Sequence, residues 1–358
     1  MKRSKMSEAE LLKRSFCKAM VEIATQIRQI PTKEQMKQYA LVIPHIKEAA
    51  TTFNSWLIDE DLVEPSNRIA WFYEEQSIFE EAEKWYLYSC ELVTEKLGGD
   101  HPDIATCLNN LALLYRTQGR FDEVEALLLE ALEIWQRHLG SDHLYVATCQ
   151  SNLALFYKSQ GRSAEAEALY LKALDIKQRR LGENHSAVAT ILNNLAGLYC
   201  SQGRYAEAES LYRKALDIRQ EQLGREHPSV AASLNNLALL YESQEYYADA
   251  ELYYLQAMQI SRQTLGDDHR DVGVRLNNLA GLYVILGQYA NAESRFLQSI
   301  EIFHQQFGEA HPHTQTVQNR FQAFLSQALQ IGRVSELSDH PITRSLLQGL
   351  QTESDATT

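Results

Sequence analysis

The sequence is poor in the residues that cross-link or interrupt a chain, with five cysteines, seven prolines and 16 glycines among 358 residues. The cysteines form no CxxC pair and are odd in number, which argues against a disulfide framework. No uninterrupted apolar run approaches the roughly 18 residues that a membrane helix needs. The start of the chain lacks the apolar segment of a secretory signal. These absences predict a soluble protein of a reducing compartment, with cytoplasmic localisation and no membrane partner.

Basic charge is scarce as well, because 34 Lys and Arg residues stand against 47 Asp and Glu residues and leave a net charge of −13. General nucleic-acid binding needs a basic face that neutralises phosphates, so no nucleic-acid partner is expected. The charge is uneven along the chain. A basic leader, residues 1–58, directly precedes the acidic segment 59–100.

Motifs for catalysis are missing too. The sequence contains no HExxH, no GxGxxG and no Gly-Lys dipeptide of a phosphate-binding loop. His311 and His313 form an HxH pair without a third ligand nearby in the sequence, which is a weak zinc signal. We therefore expect no enzyme activity, no metal site and no cofactor.

The chain is rich in self-similarity, which is the first signal to test for in a repeat architecture. Related segments begin every 42 residues, at His101, His143, His185, His227, His269 and His311, and an earlier copy begins at Asp59. Each copy has the pattern of two helices, with glycine stops typical of left-handed helix caps. This predicts six two-helix repeats over residues 59–310 and a partial seventh over 311–330. Residues 331–358 are predicted to be a partly disordered tail.

A single helix pair cannot bury its apolar face, whereas stacked pairs can. The predicted fold is therefore an all-α, right-handed superhelical solenoid of antiparallel helix pairs. Tyrosines that recur in the same slots, such as Tyr115 and Tyr157, are interpreted as packing between helices. The leader 1–58 has amphipathic helical patterns. It is predicted to form a helical cap on the first repeat, or alternatively to fold over the binding face and compete with ligand.

The pattern resembles the tetratricopeptide repeat, and the matching residues of the second repeat are Leu111, Ala112, Tyr115, Gly119, Leu128 and Ala131. The period of 42 residues exceeds the usual one of about 34. With LNNLALLY, AEALY and LGxxHP, the repeats are similar to those of the kinesin-light-chain type. The resemblance covers residues 59 to about 325. Pro31 and Pro44 interrupt the leader, so the long coiled coil of a kinesin light chain is not expected.

The resemblance implies that first helices line a concave groove that binds an extended peptide or a partner helix. Paired amides in mid-helix need a reason beyond helix propensity. They form a ladder that hydrogen-bonds a peptide backbone, or one asparagine of each pair bonds to the neighbouring helix; both interpretations stay open. The ladder positions are Asn109, Asn110, Ser151, Asn152, Asn193, Asn194, Asn235, Asn236, Asn277 and Asn278.

Charged and apolar residues complete the predicted groove. Arg116 and Lys158 are neighbouring cations that pair with a peptide carboxylate or form a solvated groove edge. Leu113, Leu155 and Leu239 supply apolar contacts, and Gly197 and Gly281 leave room for a ligand side chain. The predicted function is a non-enzymatic scaffold with a protein or peptide partner. The alternative is a self-assembling or autoinhibited regulatory module that acts through its terminal helices and forms homo-oligomers.

Overall fold

The structure is a computed structural model that describes residues 7–27, 33–76 and 78–357. It divides into two compact parts, the N-terminal part (residues 1–198) and the C-terminal part (residues 199–358). The described residues form helices and turns without a β-strand. The helices are α1 (Glu8–Thr25), α2 (Lys33–Ala50), α3 (Val63–Glu75), α4 (Phe79–Leu97), α5 (Pro102–Gln118), α6 (Phe121–Leu139), α7 (Leu144–Ser159), α8 (Ser163–Leu181), α9 (Ser186–Ser201), α10 (Tyr205–Leu223), α11 (Pro228–Ser243), α12 (Tyr247–Leu265), α13 (Arg270–Ile285), α14 (Tyr289–Phe307), α15 (Pro312–Gln330) and α16 (Pro341–Thr357).

Consecutive helices pack in pairs, such as α5 with α6 and α11 with α12, and each pair packs on the next within its part. The protein is therefore an all-α solenoid of helical repeats. Among the helices of the described residues, none combines the length and the apolar character that a membrane crossing requires.

Histidines cap the first helix of the repeats. Nδ1 of His101 accepts a hydrogen bond from the backbone N–H of Asp103 at 3.3 Å, and Nδ1 of His227 accepts one from Ser229 at 3.1 Å. A helix N-terminus has N–H groups without intrahelical partners, so an acceptor at this position stabilises it. The histidines of the 42-residue pattern are thus helix caps in turns.

Most first helices end in a left-handed turn. At the end of α5, Gly119 has φ 77°, a conformation that costs glycine little because it has no Cβ. Glu245 occupies the same position after α11 and keeps the left-handed conformation, with φ 65°. It is the one non-glycine residue of the described chain with positive φ. The turn is therefore retained at Glu245 in spite of its side chain.

A cluster of tyrosine, glutamate and arginine joins neighbouring repeats. Oε1 of Glu83 on α4 accepts hydrogen bonds from the Tyr115 hydroxyl and from the Arg120 guanidinium, each at 2.8 Å. The guanidinium of Arg120 also lies 3.6 Å from the centroid of the Tyr115 ring, a cation–π contact. The same cluster recurs one repeat later in Tyr157, Glu125 and Arg162.

The two leader helices pack against the first repeat. Ala24 and Ile27 at the end of α1 share a buried cluster with Ile46 of α2 and Ile69 of α3. A second cluster joins Cys17 of α1 to α4. Packing on α3 and α4 is the arrangement that a cap would have, although the choice between cap and competitor stays a prediction.

The segment after α15 contains a short 3-10 turn, Val334–Glu336, and the helix α16. Its attachment point is Glu293 of α14, whose buried carboxylate accepts three hydrogen bonds. The donors are the backbone N–H of Ser338 at 2.7 Å, the Ser338 hydroxyl at 2.8 Å and the Thr343 hydroxyl at 2.5 Å. Part of the tail is thus bonded to the last complete repeat.

Candidate functional site

The repeated asparagine pairs, with Ser151 in one place, stand at equivalent positions of the first helices, and we call this set the asparagine face. In the N-terminal part, this face comprises Asn109, Asn110, Ser151 and Asn152 on α5 and α7. In the C-terminal part, it comprises Asn235, Asn236, Asn277 and Asn278 on α11 and α13. The first member of each pair is buried and the second is half-buried. The half-buried member is therefore the one that has surface for a ligand.

Hydrogen bonds connect these amides between neighbouring first helices. Nδ2 of Asn152 donates to Oδ1 of Asn109 at 2.8 Å. In the C-terminal part, Nδ2 of Asn278 donates to Oδ1 of Asn235 at 3.2 Å. These hydrogen bonds between asparagine side chains thus connect adjacent repeats. A primary amide has two donors and two acceptor sites, so these bonds leave capacity for a ligand.

Arg116 is a charged residue near the C-terminal end of α5, one of the helices that carry this face. It is half-buried, and its Nε atom is buried without a hydrogen-bond partner among the described residues. Burial lowers the pKa of Arg116, whereas the adjacent Tyr170 and Glu74 favour its charged form. Arg116 is therefore a partly desolvated cation, and its Nε–H donor is available for a further hydrogen bond.

Tyr170 of α8 lies beside Arg116. Its side chain is 0% exposed, its hydroxyl has no hydrogen-bond partner in the described part of the chain, and burial raises its pKa. The equivalent tyrosine of the first repeat is satisfied, because the Tyr86 hydroxyl donates to Oε2 of Glu74 at 3.1 Å. In the third repeat, the position of Glu74 is taken by Lys158, which has no acceptor for a hydroxyl. The buried Tyr170 hydroxyl therefore lacks the acceptor that the equivalent tyrosine of the first repeat has.

The other predicted site residues of the N-terminal part are of mixed chemistry. Leu113 and Leu155 are half-buried, as are Lys158 and Gly197. The remaining pair, Asn193 and Asn194 on α9, is half-buried at both positions.

The C-terminal part has a different arrangement near its asparagine face. Leu239 is 39% exposed on α11. The sequence predicts room for a ligand above Gly281, and this prediction is wrong. A Cβ atom at Gly281 would lie 2.9 Å from a terminal nitrogen of Arg320, so the Arg320 side chain of α15 fills that space. The long arginine reaches back over the place where α13 lacks a side chain.

In the same part, the half-buried Glu242 and the buried Tyr254 form a pair. The Tyr254 hydroxyl donates to Oε2 of Glu242 at 2.8 Å. Burial raises the pKa of Glu242, whereas the Tyr254 hydrogen bond and the positive charge of Arg320 oppose that rise. Sequence reasoning missed the roles of Tyr170, Tyr254 and Arg320. The signal that could have found them is the recurring tyrosine slot, whose partner position changes from glutamate to lysine between repeats.

In the described part of the chain, the cysteines and the candidate metal ligands are not assembled into a site. Cys107 and Cys149 are fully buried, and Cys200 is half-buried. Burial raises the pKa of Cys149 to about 12, which makes its thiol a poor nucleophile. Among the described residues, no group of three or more His, Cys, Asp and Glu side chains could hold a metal ion.

The family of the chain follows from its sequence together with this fold. Residues 63–137, 118–179, 187–263 and 247–305 match the tetratricopeptide repeat family and make up more than half of the chain. The protein therefore belongs to the tetratricopeptide repeat family. Solenoids of this kind use extended surfaces for binding, so family and fold support a protein-interaction scaffold.

Solved structures with similar folds include repeats of the kinesin-light-chain type. The chain is 26% identical to BtubC (BKLC) from P. vanneervenii, over 65% of this chain and 92% of that one, with a TM-score of 0.52. It is 27% identical to nearly identical TPR-like repeats of a Podosopora anserina putative kinesin light chain, over 57% and 97%, with a TM-score of 0.46. A Rap protein complexed with competence and sporulation factor is 16% identical over 90% and 99%, with a TM-score of 0.55. A search of curated proteins found no match.

Proposed function

We propose that the protein is a non-enzymatic cytoplasmic scaffold whose asparagine face binds an extended peptide or a partner helix that carries a carboxylate. The observation that carries this proposal is the pair of unpartnered polar groups at Arg116 and Tyr170 in the N-terminal part. Membership of the tetratricopeptide repeat family supports a protein or peptide as the partner.

The chemistry of the missing group follows from these two donors. A buried donor without an acceptor costs about 1–3 kcal/mol relative to a satisfied one. The first repeat supplies its tyrosine with a carboxylate, that of Glu74. A ligand carboxylate would bond the half-buried Arg116 guanidinium, and it would give Tyr170 the same acceptor once the side chains that cover the Tyr170 hydroxyl move aside. Such charge-assisted hydrogen bonds are stronger than neutral ones.

The surrounding residues fit the remainder of an extended peptide. The half-buried amides of Asn110 and Asn152 would bond its backbone, since an amide both donates and accepts. Leu113 and Leu155 would contact apolar side chains. Comparable mixed surfaces, with apolar contact and a few polar groups that fix orientation, are typical of binding sites.

A peptide array followed by fluorescence polarisation tests the proposal. The native chain is expected to retain acidic peptides, and Arg116→Gln to weaken them at least about tenfold, because the charged partner is lost. Arg137→Gln is the matched control. That arginine lies on α6 and pairs with Asp100 and Glu133 instead. Equal binding by the native chain and the Arg116→Gln chain would place the peptide elsewhere.

Self-assembly through the terminal helices is the second candidate function. Leu11 and Leu12 on α1 and Leu41 on α2 are 52%, 66% and 75% exposed, and exposed apolar side chains close to one another favour association. Light scattering of the native chain and of a Leu11→Ser, Leu12→Ser variant tests this candidate. A native monomer would reject it, whereas an oligomer that the variant abolishes would support it.

A further inference from the structure

The C-terminal part places an exposed arginine against a gap in its own asparagine face. Arg320 lies on α15 at the position that asparagine occupies in the earlier repeats. Its guanidinium rests above Gly281, so close that any larger residue there would contact it. Arg320 itself is exposed and makes no direct hydrogen bond or ion pair within the described chain. The location of the guanidinium therefore follows from the place of Arg320 on α15, and no hydrogen bond or ion pair within the described chain fixes it there.

The group that this arginine approaches is a half-buried carboxylate. Glu242 accepts the hydroxyl of the fully buried Tyr254 at 2.8 Å, which fixes the orientation of its carboxylate. No Lys or Arg lies within ion-pair distance of Glu242 in the described part of the chain. Burial raises the pKa of both Glu242 and Tyr254, and the charge of Arg320 opposes that rise, which agrees with a guanidinium in their neighbourhood.

We infer that Glu242, oriented by Tyr254, is a subsite for an arginine or lysine side chain of a bound peptide, and that Arg320 covers this subsite. The inference rests on the proposed function, since it assigns a ligand class to the C-terminal asparagine face. The guanidinium that lies over Gly281 is of the same chemical class as the ligand side chain that we assign to this carboxylate. A half-buried carboxylate without a direct cation favours a positive ligand, and a planar guanidinium matches it best.

Because Arg320 covers the subsite, it regulates the access of a ligand cation to Glu242. A ligand cation has to displace Arg320, so its apparent affinity falls by the fraction of molecules in which the subsite is open. The contact is weak enough to be displaced, because Arg320 is exposed and not directly bonded.

Binding of a labelled tri-arginine peptide to the full-length chain tests the inference by fluorescence polarisation. Arg320→Ala is expected to bind this probe at least about tenfold more tightly than the native chain, because the competitor is removed. Adding Glu242→Gln to that variant is expected to abolish the gain. Arg344→Ala is the matched control, since it removes one exposed positive charge from the same part.

Three results would overturn the inference: equal gains for Arg320→Ala and Arg344→Ala, a gain that survives Glu242→Gln, or no gain from Arg320→Ala. Carboxyl NMR gives a readout that needs no ligand. Arg320→Ala should raise the pKa of Glu242, and an unchanged pKa would contradict the placement of Arg320 near Glu242. Acidic peptides that depend on Arg116 report separately on the proposed function. If the acidic peptides bind but Arg320→Ala gives no gain with tri-arginine, the Glu242 subsite is rejected and the proposed function is retained.

Discussion

Tyr170 of the N-terminal part and Tyr254 of the C-terminal part occupy the same repeated slot, but their hydroxyls have opposite surroundings. In the C-terminal part, the chain completes the slot itself, because Tyr254 has the carboxylate of Glu242 and the charge of Arg320 nearby. In the N-terminal part, Tyr170 has cations at the neighbouring positions, and its hydroxyl has no acceptor among the residues that the structure describes. The repeat backbone is shared, so the difference lies in one residue per repeat. It shows that a repeat array can contain satisfied and unsatisfied copies of one polar position.

Removal of the Tyr170 and Tyr254 hydroxyls should show the difference between the two parts most clearly. Tyr254→Phe leaves the half-buried Glu242 carboxylate without its donor, and we expect the free energy of unfolding to fall by about 1–3 kcal/mol. Tyr170→Phe removes a buried hydroxyl that has no partner, so stability should stay constant or rise. Urea unfolding followed by circular dichroism measures both. Equal losses in the two variants would mean that the Tyr170 hydroxyl has an acceptor after all.

A smaller effect is expected from the glutamates that join repeats. Glu83 accepts from both Tyr115 and Arg120, whereas Glu251 in the C-terminal part accepts from Tyr283 at 2.9 Å. We expect Glu83→Ala to lower the free energy of unfolding by about 1 kcal/mol, after allowance for the partial exposure of the pair. Glu251→Ala should cost less. A larger loss for Glu251→Ala, measured by the same urea unfolding, would reverse the ranking.

Relief of the left-handed conformation at Glu245 should raise the free energy of unfolding by a similar amount. Because this residue has φ 65°, Glu245→Gly should raise the free energy of unfolding by about 1 kcal/mol. The matched change Gly161→Glu, at φ 75° in the N-terminal part, should lower it by a similar amount. Thermal unfolding by calorimetry checks the pair. A loss of stability in Glu245→Gly would show that the glutamate side chain contributes more than the strain costs.

The smallest expected effect is the pH dependence of two glutamates. Hydrogen bonds from Arg162 hold the pKa of Glu125 below its usual 4.5, whereas burial raises that of Glu242. Glu125 therefore adds stability above pH 4.5 that is lost as the pH falls through its folded pKa. Glu242 has the opposite sign, since stability declines as the pH rises from 4.5 through its raised pKa. Carboxyl NMR titration should find Glu125 below Glu242, and the reverse order would contradict these contacts.

Much of the fold could be predicted from the sequence because its signals are local and repeated. The glycine at 119 and the histidine at 101 mark helix boundaries through backbone conformation and capping, which depend on a few neighbouring residues. The all-α repeat architecture and its relation to the tetratricopeptide repeats follow from such signals.

The site could be predicted only in part. Periodicity identified the asparagine pairs and the cations at 116 and 158. It could not reveal that Arg320 lies over Gly281, because that contact depends on the reach of one long side chain across a helix. It also treated Tyr170 and Tyr254 alike, although their hydroxyls differ in partner. These distinctions depend on which residues meet in space, and a repeated slot does not specify them.

A double-mutant cycle between protein and peptide tests the central claim most directly. An acidic peptide from the array and its Glu→Gln form would be titrated against the native chain and against Arg116→Gln. If the peptide carboxylate meets Arg116, the Glu→Gln change weakens binding at least about tenfold in the native chain and has little effect in the variant. Equal losses in both proteins would contradict the claim and show that the carboxylate binds away from Arg116 and Tyr170.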